Sequence, residues 1–288
     1  MPVAELDGVE IAYELVGDGQ PWVLTPGGRF TKEVGGLPEM ARALADCGRS
    51  VLTWDRPNCG ASSVLFRGRS ESEVQADALG ALLRHLDLGP TVIAGGSGGS
   101  RVSLLTAARN PDVTAGLAMW WISGGVPGLL QLANYYCMPS AEAAWQGGMD
   151  AVVELDQWQD VLAKNASNRE RFLSMDRDEF LAVMDRWMVA YCPCEDSLVP
   201  GLDDKDIARL SVPILVFRSG VSDMSHTRAT SEALGAGLPG AELVEPPWGD
   251  EEWNERMAAV GEAGSLFVRW PLLVPQLVEW SDRTIGSR

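Results

Sequence analysis

A serine flanked by four glycines places the tightest constraint on what this chain can fold into. Gly95-Gly96-Ser97-Gly98-Gly99 directly follows an apolar segment at 91–94 and precedes a segment of helical character that runs to about residue 109. Only glycine tolerates the crowding of so sharp a turn between a strand and a helix, and such a turn holds the serine in a strained, exposed position. The N-terminus of the following helix would favour an oxyanion that develops beside Ser97. A glycine-rich turn without chemistry is the alternative, which the strand–turn–helix context disfavours.

Strand-like and helix-like segments alternate around this turn. Asp7-Gly8 between two short apolar segments predicts a β-hairpin. Further strands are predicted at 22–24, 50–54, 91–94, 115–122, 213–217 and 241–244, and helices at 38–47, 70–88, 98–109 and 275–281. Ser70 followed by Glu73 is typical of a helix N-cap. This alternation predicts βαβ units and a mostly parallel sheet, which we expect to have about eight strands.

The alternation stops between residues 123 and 208, where only helix-like patterns occur. We therefore predict an α/β core made of residues 1–122 and 209–288, interrupted by a helical cap of residues 123–208. Aromatic residues are frequent in and just before this cap: Trp120, Trp121, Tyr135, Tyr136, Trp145, Trp158, Trp187 and Tyr191. Aromatic residues at helical spacing are more often part of a core, but some of these could form an aromatic wall around a binding pocket.

Composition excludes several classes of protein. Of the 288 residues, 46% are hydrophobic and 22% are charged, which is typical of a globular chain with a sizeable core. The net charge of −17 disfavours binding to nucleic acids and to anionic membrane surfaces. The N-terminus lacks the basic and apolar regions of a signal peptide, and no apolar run approaches the ~20 residues that span a bilayer. We expect a cytoplasmic protein with a small-molecule substrate and with neither a membrane nor a nucleic-acid partner.

The cysteines predict reduced thiols rather than a disulfide framework, because they are scattered and odd in number: Cys47, Cys59, Cys137, Cys192 and Cys194. Cys192 and Cys194 are too close together for a usual zinc pair, and no second Cys/His pair accompanies them. We expect no metal and no cofactor.

Three motifs resemble those of a known family. The run Gly95–Ser100 is similar to a GGSWGS motif, residues 25–29 stand in the place of an HGGPG loop, and residues 55–62 match a DQRGxGxS segment. These motifs resemble the α/β-hydrolase-fold superfamily, and most closely its proline iminopeptidase-like branch. The resemblance extends over the whole chain in element order. It implies a mostly parallel eight-stranded sheet flanked by helices, with an inserted helical cap.

The resemblance also implies roles for individual residues. Ser97 would be the nucleophile, and the backbone N–H groups of Gly28 and Gly98 would form the oxyanion hole. Asp223, in the loop after the predicted strand 213–217, matches the triad acid of the family. Pro26 stands where the family usually has a histidine, which is structural there, so this difference does not indicate a lost catalytic group.

The general base departs from the family pattern. The family places a histidine in the loop after the last strand, and the corresponding segment 244–253 has none. Only His85 and His226 occur in the chain. His85 lies in a predicted helix, and we interpret it as structural. His226 lies three residues beyond Asp223, at the carboxyl end of a core strand, where ligands bind in open α/β sheets. Since a serine hydroxyl needs a nearby base of near-neutral pKa, His226 is the candidate, and a helix-capping or pocket-lining role is the alternative.

Loss of the triad is the competing hypothesis. Trp248 or Asp250 would then occupy the usual position of the base, and a desolvated carboxylate there could still accept a proton. Such a protein could use its pocket for non-hydrolytic chemistry or only for binding.

Two arginines and one tryptophan are further candidates for substrate contact. Arg29 follows the oxyanion glycine, and Arg101 lies one turn into the helix after Ser97. Either could bind a substrate carboxylate through two parallel hydrogen bonds, or could form an internal salt bridge, which we favour for Arg101. Trp121 ends the strand that leads into the cap.

Together these features predict a serine hydrolase acting on a small apolar or aromatic ester, amide or lactone. Ser97 would attack the carbonyl carbon, and Asp223 with His226 as a non-standard base would move the proton. A lyase, isomerase or cyclase on the same fold is one alternative, and a small-molecule-binding protein with a degenerate triad is another. The sequence leaves the substrate and the oligomeric state open.

Overall fold

The computed structural model describes residues 1–193 and 198–286. Its strands are β1 (Val3–Leu6), β2 (Val9–Val16), β3 (Gln20–Thr25), β4 (Arg49–Trp54), β5 (Thr91–Gly96), β6 (Thr114–Trp120), β7 (Ile214–Phe217) and β8 (Ala241–Val244). Within the described residues they form one eight-stranded sheet in the order β1-β2-β4-β3-β5-β6-β7-β8. β1 and β2 form the predicted hairpin, β2 is antiparallel to β4, and the other neighbours are parallel. The predicted mostly parallel sheet of an α/β-hydrolase fold is confirmed.

Helices cover the sheet and fill the connection between β6 and β7. They are α1 (Leu37–Asp46), α2 (Glu71–His85), α3 (Gly98–Arg109), α4 (Val126–Val153), α5 (Asp156–Lys164), α6 (Ser167–Leu173), α7 (Arg177–Ala190), α8 (Asp204–Arg209), α9 (Arg228–Gly237), α10 (Glu252–Ala263) and α11 (Val274–Thr284). Short 3-10 turns occupy Pro111–Val113 and Trp270–Leu273.

Local sequence explains where these elements begin and what they bury. The hydroxyl of Ser70 accepts the N–H of Glu73 and caps α2 as predicted, while the carboxylate of Glu73 pairs with Arg69. Every residue of β5 is buried, since helices cover both faces of the parallel part of the sheet.

The described residues between β6 and β7 form helices and connecting loops and contain no strand, and they supply most members of one hydrophobic cluster. Members of that cluster include Tyr136, Trp158, Phe172, Phe180 and Trp187. α4 contains a kink at Gly148, whose φ of 70° breaks the helical geometry. The division into a core of residues 1–122 and 209–288 and a cap of residues 123–208 remains a prediction.

Parallel strands bring several loops to one edge of the sheet. The loops after β3, β5, β6 and β7 all leave the carboxyl ends of neighbouring strands. In open α/β sheets this edge is the usual place for a ligand. The candidate residues that follow these strands therefore meet at one place although they are far apart in the sequence.

No helix in the described part of the chain is long and apolar enough to cross a membrane.

Two buried cysteines, Cys59 and Cys137, are expected to react slowly with thiol reagents in the folded protein. Burial raises the pKa of Cys59 to about 11, against the opposing charge of Arg56, and burial together with the charge of Glu71 raises the pKa of Cys137 to about 12. Because the thiolate is the reactive form, we expect iodoacetamide at about pH 8 to modify exposed Cys47 and to spare Cys59 and Cys137 until the protein unfolds. Peptide mass mapping of native and guanidinium-treated protein measures this. Rapid labelling of Cys59 in the native protein would contradict the burial described here. Cys194 of the Cys192/Cys194 pair lies outside the described residues.

Candidate active site

Ser97 occupies a strained turn between β5 and α3. Its φ of 57° and ψ of −124° lie in a region that side chains rarely adopt. The neighbouring positions require glycine because other backbone atoms lie too close to leave room for a Cβ atom. A Cβ atom at Gly99 would lie 2.1 Å from the carbonyl oxygen of Thr25, and one at Gly95 would lie 2.7 Å from the backbone of Gly99. The glycine pattern thus allows the turn to press against the end of β3 while the serine side chain projects from it.

Two backbone N–H groups flank this serine. A Cβ atom built on Gly98 would lie 3.3 Å from the nitrogen of Gly28, so the two residues are adjacent across the turn. Neither N–H has a hydrogen-bond acceptor among the described residues. Arg56 donates through Nη2 to the carbonyl oxygens of Gly28 and Gly27, at 2.6 and 3.2 Å. This contact holds the carbonyls of the loop after β3 on the side of Arg56 and fixes the loop beside Ser97.

His226 reaches Ser97 from the loop after β7. Its Nε2 lies 2.8 Å from the Oγ of Ser97, and its Nδ1 lies 2.8 Å from Oδ2 of Asp223. Both His226 and Asp223 are buried. The three side chains therefore form a continuous hydrogen-bonded chain from hydroxyl to imidazole to carboxylate, which is the arrangement that activates a serine.

The carboxylate of Asp223 also shapes the loop that carries the imidazole. Its Oδ1 accepts the backbone N–H groups of Ser225 at 3.0 Å and of His226 at 2.8 Å. An aspartate that binds the backbone two and three residues ahead closes a tight turn. One side chain thus bends the loop through Oδ1 and orients the imidazole ring through Oδ2.

Helix α10 supplies neighbours of the triad that the sequence analysis missed. Arg256 lies with Nη2 3.5 Å from Oδ2 of Asp223, with Nε 3.0 Å from Glu252, and with its guanidinium 3.7 Å from the ring centroid of Trp121. Trp253 contacts His226 edge to face, with ring centroids 5.9 Å apart. Burial lowers the pKa of Arg256 and raises the pKa of Glu252, and each opposes the other's shift by its charge.

A periodic signal for α10 was present in the sequence. Trp253, Met257 and Val260 recur at helical spacing, and Gly264 ends the helix in a left-handed conformation. The periodicity indicates a helix, but it does not show that Arg256 points towards a carboxylate more than thirty residues away.

A cavity of about 330 Å³ opens beside Ser97 and His226. Its walls come from the loops at the sheet edge, from α4 and α5, and from α10 and the segment after it. The lining residues are Gly28, Arg29, Phe30, Ser97, Trp121, Gln131, Leu132, Tyr135, Tyr136, Gln157, Ser225, His226, Trp253, Arg256, Leu266 and Phe267. Six of these sixteen residues are phenylalanine, tyrosine or tryptophan, which suits a small apolar or aromatic ligand.

The two arginines singled out from the sequence both lie inside the protein. Arg29 lines the cavity, with Nη2 3.4 Å from Glu71 and 3.1 Å from the carbonyl oxygen of Tyr136. Arg101 is buried and donates to the hydroxyl of Tyr191 at 3.3 Å rather than to a carboxylate. The internal salt bridge that we favoured for Arg101 is absent among its described contacts, whereas Arg29 has one.

Three other candidates lie elsewhere. Asp250 pairs with Arg228 at the surface, so its carboxylate does not face Ser97. Trp248 packs half-buried against Trp121, with ring centroids 5.7 Å apart, and does not line the cavity. His85 is exposed at the end of α2. The position beside Ser97 that these residues could have filled is occupied by His226.

Substitution at Gly99 tests the requirement for backbone contact at the turn. The Cβ of Gly99→Ala would overlap the carbonyl of Thr25, so we expect a loss of about 2 kcal/mol or more in the free energy of unfolding. Gly261→Ala in α10 is the matched control, because no atom lies within 4 Å of its Cβ and alanine favours a helix. Urea denaturation of both variants measures the difference. Equal stabilities would show that the turn can move away from β3.

Known proteins share this fold. A family model described as the α/β hydrolase fold matches residues 25–119. Similar solved structures include an enol-lactonase from Burkholderia xenovorans LB400, with 20% identity, a TM-score of 0.54 and coverage of 91% of this chain and 98% of that one. An enzyme that degrades N-acyl homoserine lactones has 20% identity, a TM-score of 0.56 and coverage of 90% and 99%. A thermophilic esterase from Thermogutta terrifontis has 22% identity, a TM-score of 0.57 and coverage of 97% and 95%.

No curated protein sequence matches this chain. The solved structures are too distant to transfer a substrate, but they span nearly the whole chain and agree with the family match over β3 to β6. The chain therefore has the α/β-hydrolase fold.

Proposed function

We propose that this protein is a serine hydrolase that cleaves a small carboxylic ester or lactone. The observation that carries the proposal is the hydrogen-bonded chain from Ser97 through His226 to Asp223, with both contacts to the imidazole at 2.8 Å. A histidine held by a carboxylate on one nitrogen and by a serine on the other is arranged to accept a proton from the hydroxyl.

In the first step, the Oγ of Ser97 attacks the carbonyl carbon while Nε2 of His226 takes the hydroxyl proton. The negative charge moves to the carbonyl oxygen, which the N–H groups of Gly28 and Gly98 stabilise. Collapse of this intermediate breaks the bond to the alcohol oxygen, which receives the proton from His226. The products are an ester of Ser97 and an alcohol, which leaves as a free molecule from an ester substrate and stays attached as a hydroxyl group on the acyl chain of a lactone.

In the second step, water replaces the alcohol. His226 takes a proton from water as its oxygen attacks the acyl carbon, and it returns that proton to the Oγ of Ser97 as the acid leaves. Asp223 keeps the imidazole in the tautomer that presents an unprotonated Nε2 and stabilises the imidazolium that forms in each step.

The cavity and the relatives support the choice of substrate class. Aromatic walls formed by Trp121, Tyr136 and Phe267 favour an apolar or aromatic substrate, and a volume of about 330 Å³ favours a small one. An enol-lactonase, an enzyme that degrades N-acyl homoserine lactones and an esterase are among the similar structures. Esters and lactones share the carbonyl chemistry that this site would perform.

Two alternative functions compete with this proposal: a non-hydrolytic enzyme of the same fold, and a protein that only binds a small molecule. Both alternatives drew support from the missing histidine after the last strand. His226 supplies an imidazole at hydrogen-bond distance from Ser97, so a degenerate triad has no specific observation in its favour.

Labelling by a fluorophosphonate tests the activated serine. We expect covalent labelling of the wild-type protein at Ser97, because phosphonylation requires a serine activated by a base. Ser97→Ala should abolish labelling, and His226→Gln should slow it by about a hundredfold or more. His85→Gln removes the other histidine, which is exposed and remote, and serves as the control. Unlabelled wild-type protein, or labelling that survives in His226→Gln at the wild-type rate, would overturn the proposed mechanism.

The role of Asp223 can be separated from that of other loop acids. In Asp223→Asn the side-chain amide would favour the wrong imidazole tautomer, so we expect hydrolysis of p-nitrophenyl acetate to fall by about a hundredfold or more with the fold retained. Asp250→Asn is the control, since its carboxylate pairs with Arg228 at the surface. Steady-state kinetics and circular dichroism measure both. A greater loss in Asp250→Asn would assign the acid to the loop after β8 instead.

A further inference from the structure

The cavity beside Ser97 has a cationic lining in a strongly acidic protein. Its lining includes Arg29 and Arg256, and no aspartate or glutamate belongs to the described lining. The chain as a whole carries a net charge of −17. A surface this acidic repels anions at long range, so positive groups that face the cavity would act locally on a bound ligand.

Arg29 has donors without acceptors. Its side chain is nine-tenths buried and lies against the rings of Trp158 and Tyr136, with its guanidinium 4.2 and 5.1 Å from the two ring centroids. Nη2 bonds to Glu71 and to the carbonyl of Tyr136, whereas Nε and Nη1 have no hydrogen-bond partner. Buried donors are normally satisfied, and leaving one unpaired is unfavourable.

The charge around Arg29 is also incompletely balanced. Glu71 is the only carboxylate lining a small void that Arg56 and Arg101 also line, and it is the only carboxylate paired with Arg29 among the described residues. Glu71 is shared further, since Asn58 donates to its Oε1 at 2.9 Å. Three buried guanidinium groups thus surround one carboxylate. Buried charges in proteins are usually paired, which leaves room for an anion here.

Arg256 is less suited to that anion. It lies within 3.5 Å of Asp223 and within 3.0 Å of Glu252, so two carboxylates already offset its charge. Arg56 and Arg101 do not line the cavity beside Ser97. Both Arg29 and Arg256 line the cavity and have buried N–H groups without a hydrogen-bond partner, but Arg256 lies beside two carboxylates and Arg29 pairs with only one among the described residues. Arg29 is therefore the cation better suited to a further anion.

We propose that the substrate carries a carboxylate in addition to its ester or lactone group, and that Arg29 binds this carboxylate. This inference rests on the proposed hydrolase function and deepens it. Nε or Nη1 of Arg29 can each donate one charge-assisted hydrogen bond to a carboxylate oxygen, and the stacked rings hold the guanidinium in one orientation. Since Arg29 and Ser97 line the same cavity, one small substrate could contact both.

A matched pair of substrates tests the proposal in the wild-type enzyme. The probes are the monomethyl esters of glutaric, adipic and pimelic acid, each compared with the methyl ester in which a carboxamide replaces the free carboxylate. We expect kcat/KM to favour the carboxylate by about tenfold or more for at least one chain length. Without a cation in contact with the substrate, the net negative charge of the protein should give a ratio of one or below.

A double variant assigns the preference to Arg29. Arg29→Gln combined with Glu71→Gln removes both members of the ion pair, and the new amide at position 71 can still accept from Asn58. We expect the carboxylate-to-carboxamide ratio to fall to about one. Arg109→Gln with Asp77→Asn removes a partly exposed ion pair of the same kind on α3 and α2, and its ratio should match that of the wild type. Thermal unfolding of each variant verifies the fold.

The outcomes separate this inference from the hydrolase proposal. A ratio of one or below at all three lengths, or a preference that survives in the Arg29 double variant, overturns the carboxylate site. Hydrolysis of carboxamide esters would leave the hydrolase function standing in either case. If Ser97 is labelled by a fluorophosphonate but none of these esters is cleaved, the carboxylate site is wrong. If Ser97 is not labelled and no ester is cleaved, both proposals are wrong.

Discussion

The carboxylate of Asp223 is the interaction on which the geometry of the candidate site depends. Oδ1 accepts the N–H groups of Ser225 and His226, and Oδ2 accepts from the imidazole of His226. Because the carboxylate satisfies both the backbone and the ring, a separation of only three residues is enough to place the imidazole against Ser97. An imidazole on a separate loop would need the packing of a further strand end to position it, whereas the imidazole of His226 requires only the single turn after β7.

The other partners depend on the parallel sheet. β3, β5, β6 and β7 bring their carboxyl ends to one edge, so Gly28, Ser97, Trp121 and His226 converge although up to 198 residues separate them. Close approach at this edge is possible because glycine lines the contact between β3 and the turn at Ser97. Two non-glycine residues there, Ser97 and Trp121, have positive φ angles of 57° and 46°. Strain of this kind persists only where surrounding packing holds it, and it is concentrated at functional sites.

Local sequence patterns predicted the sheet and the turn at Ser97. The orientation and pairing of the other side chains at the site depend on tertiary contacts that no local pattern reveals. The strand–turn–helix context of Ser97 is contiguous in sequence, so it could be recognised directly. The closeness of His226 to Asp223 allowed a base to be suggested, although no local signal shows which way the ring points. Arg256 and Glu252 were missed because an arginine in an amphipathic helix usually indicates an exposed face of that helix. Here both side chains are buried, and Arg256 faces the loop after β7. Asp250 was weighed as a base from its loop position, yet its partner, Arg228, lies on a different element.

The proposed base, His226, lies on the same loop as the proposed acid, Asp223, so the segment after β8 is not needed for a base. In the family that the motifs resemble, that segment carries the histidine, whereas here it continues into α10, which provides Trp253 and Arg256 as walls around the imidazole. Arg256 competes with His226 for the charge of Asp223, and a lone guanidinium there would weaken the support that the carboxylate gives to an imidazolium. Glu252, at 3.0 Å from Arg256, offsets this competition. The buried pair of Glu252 and Arg256 therefore leaves more of the charge of Asp223 available to His226, which is a reason for a costly buried ion pair to lie beside these two residues.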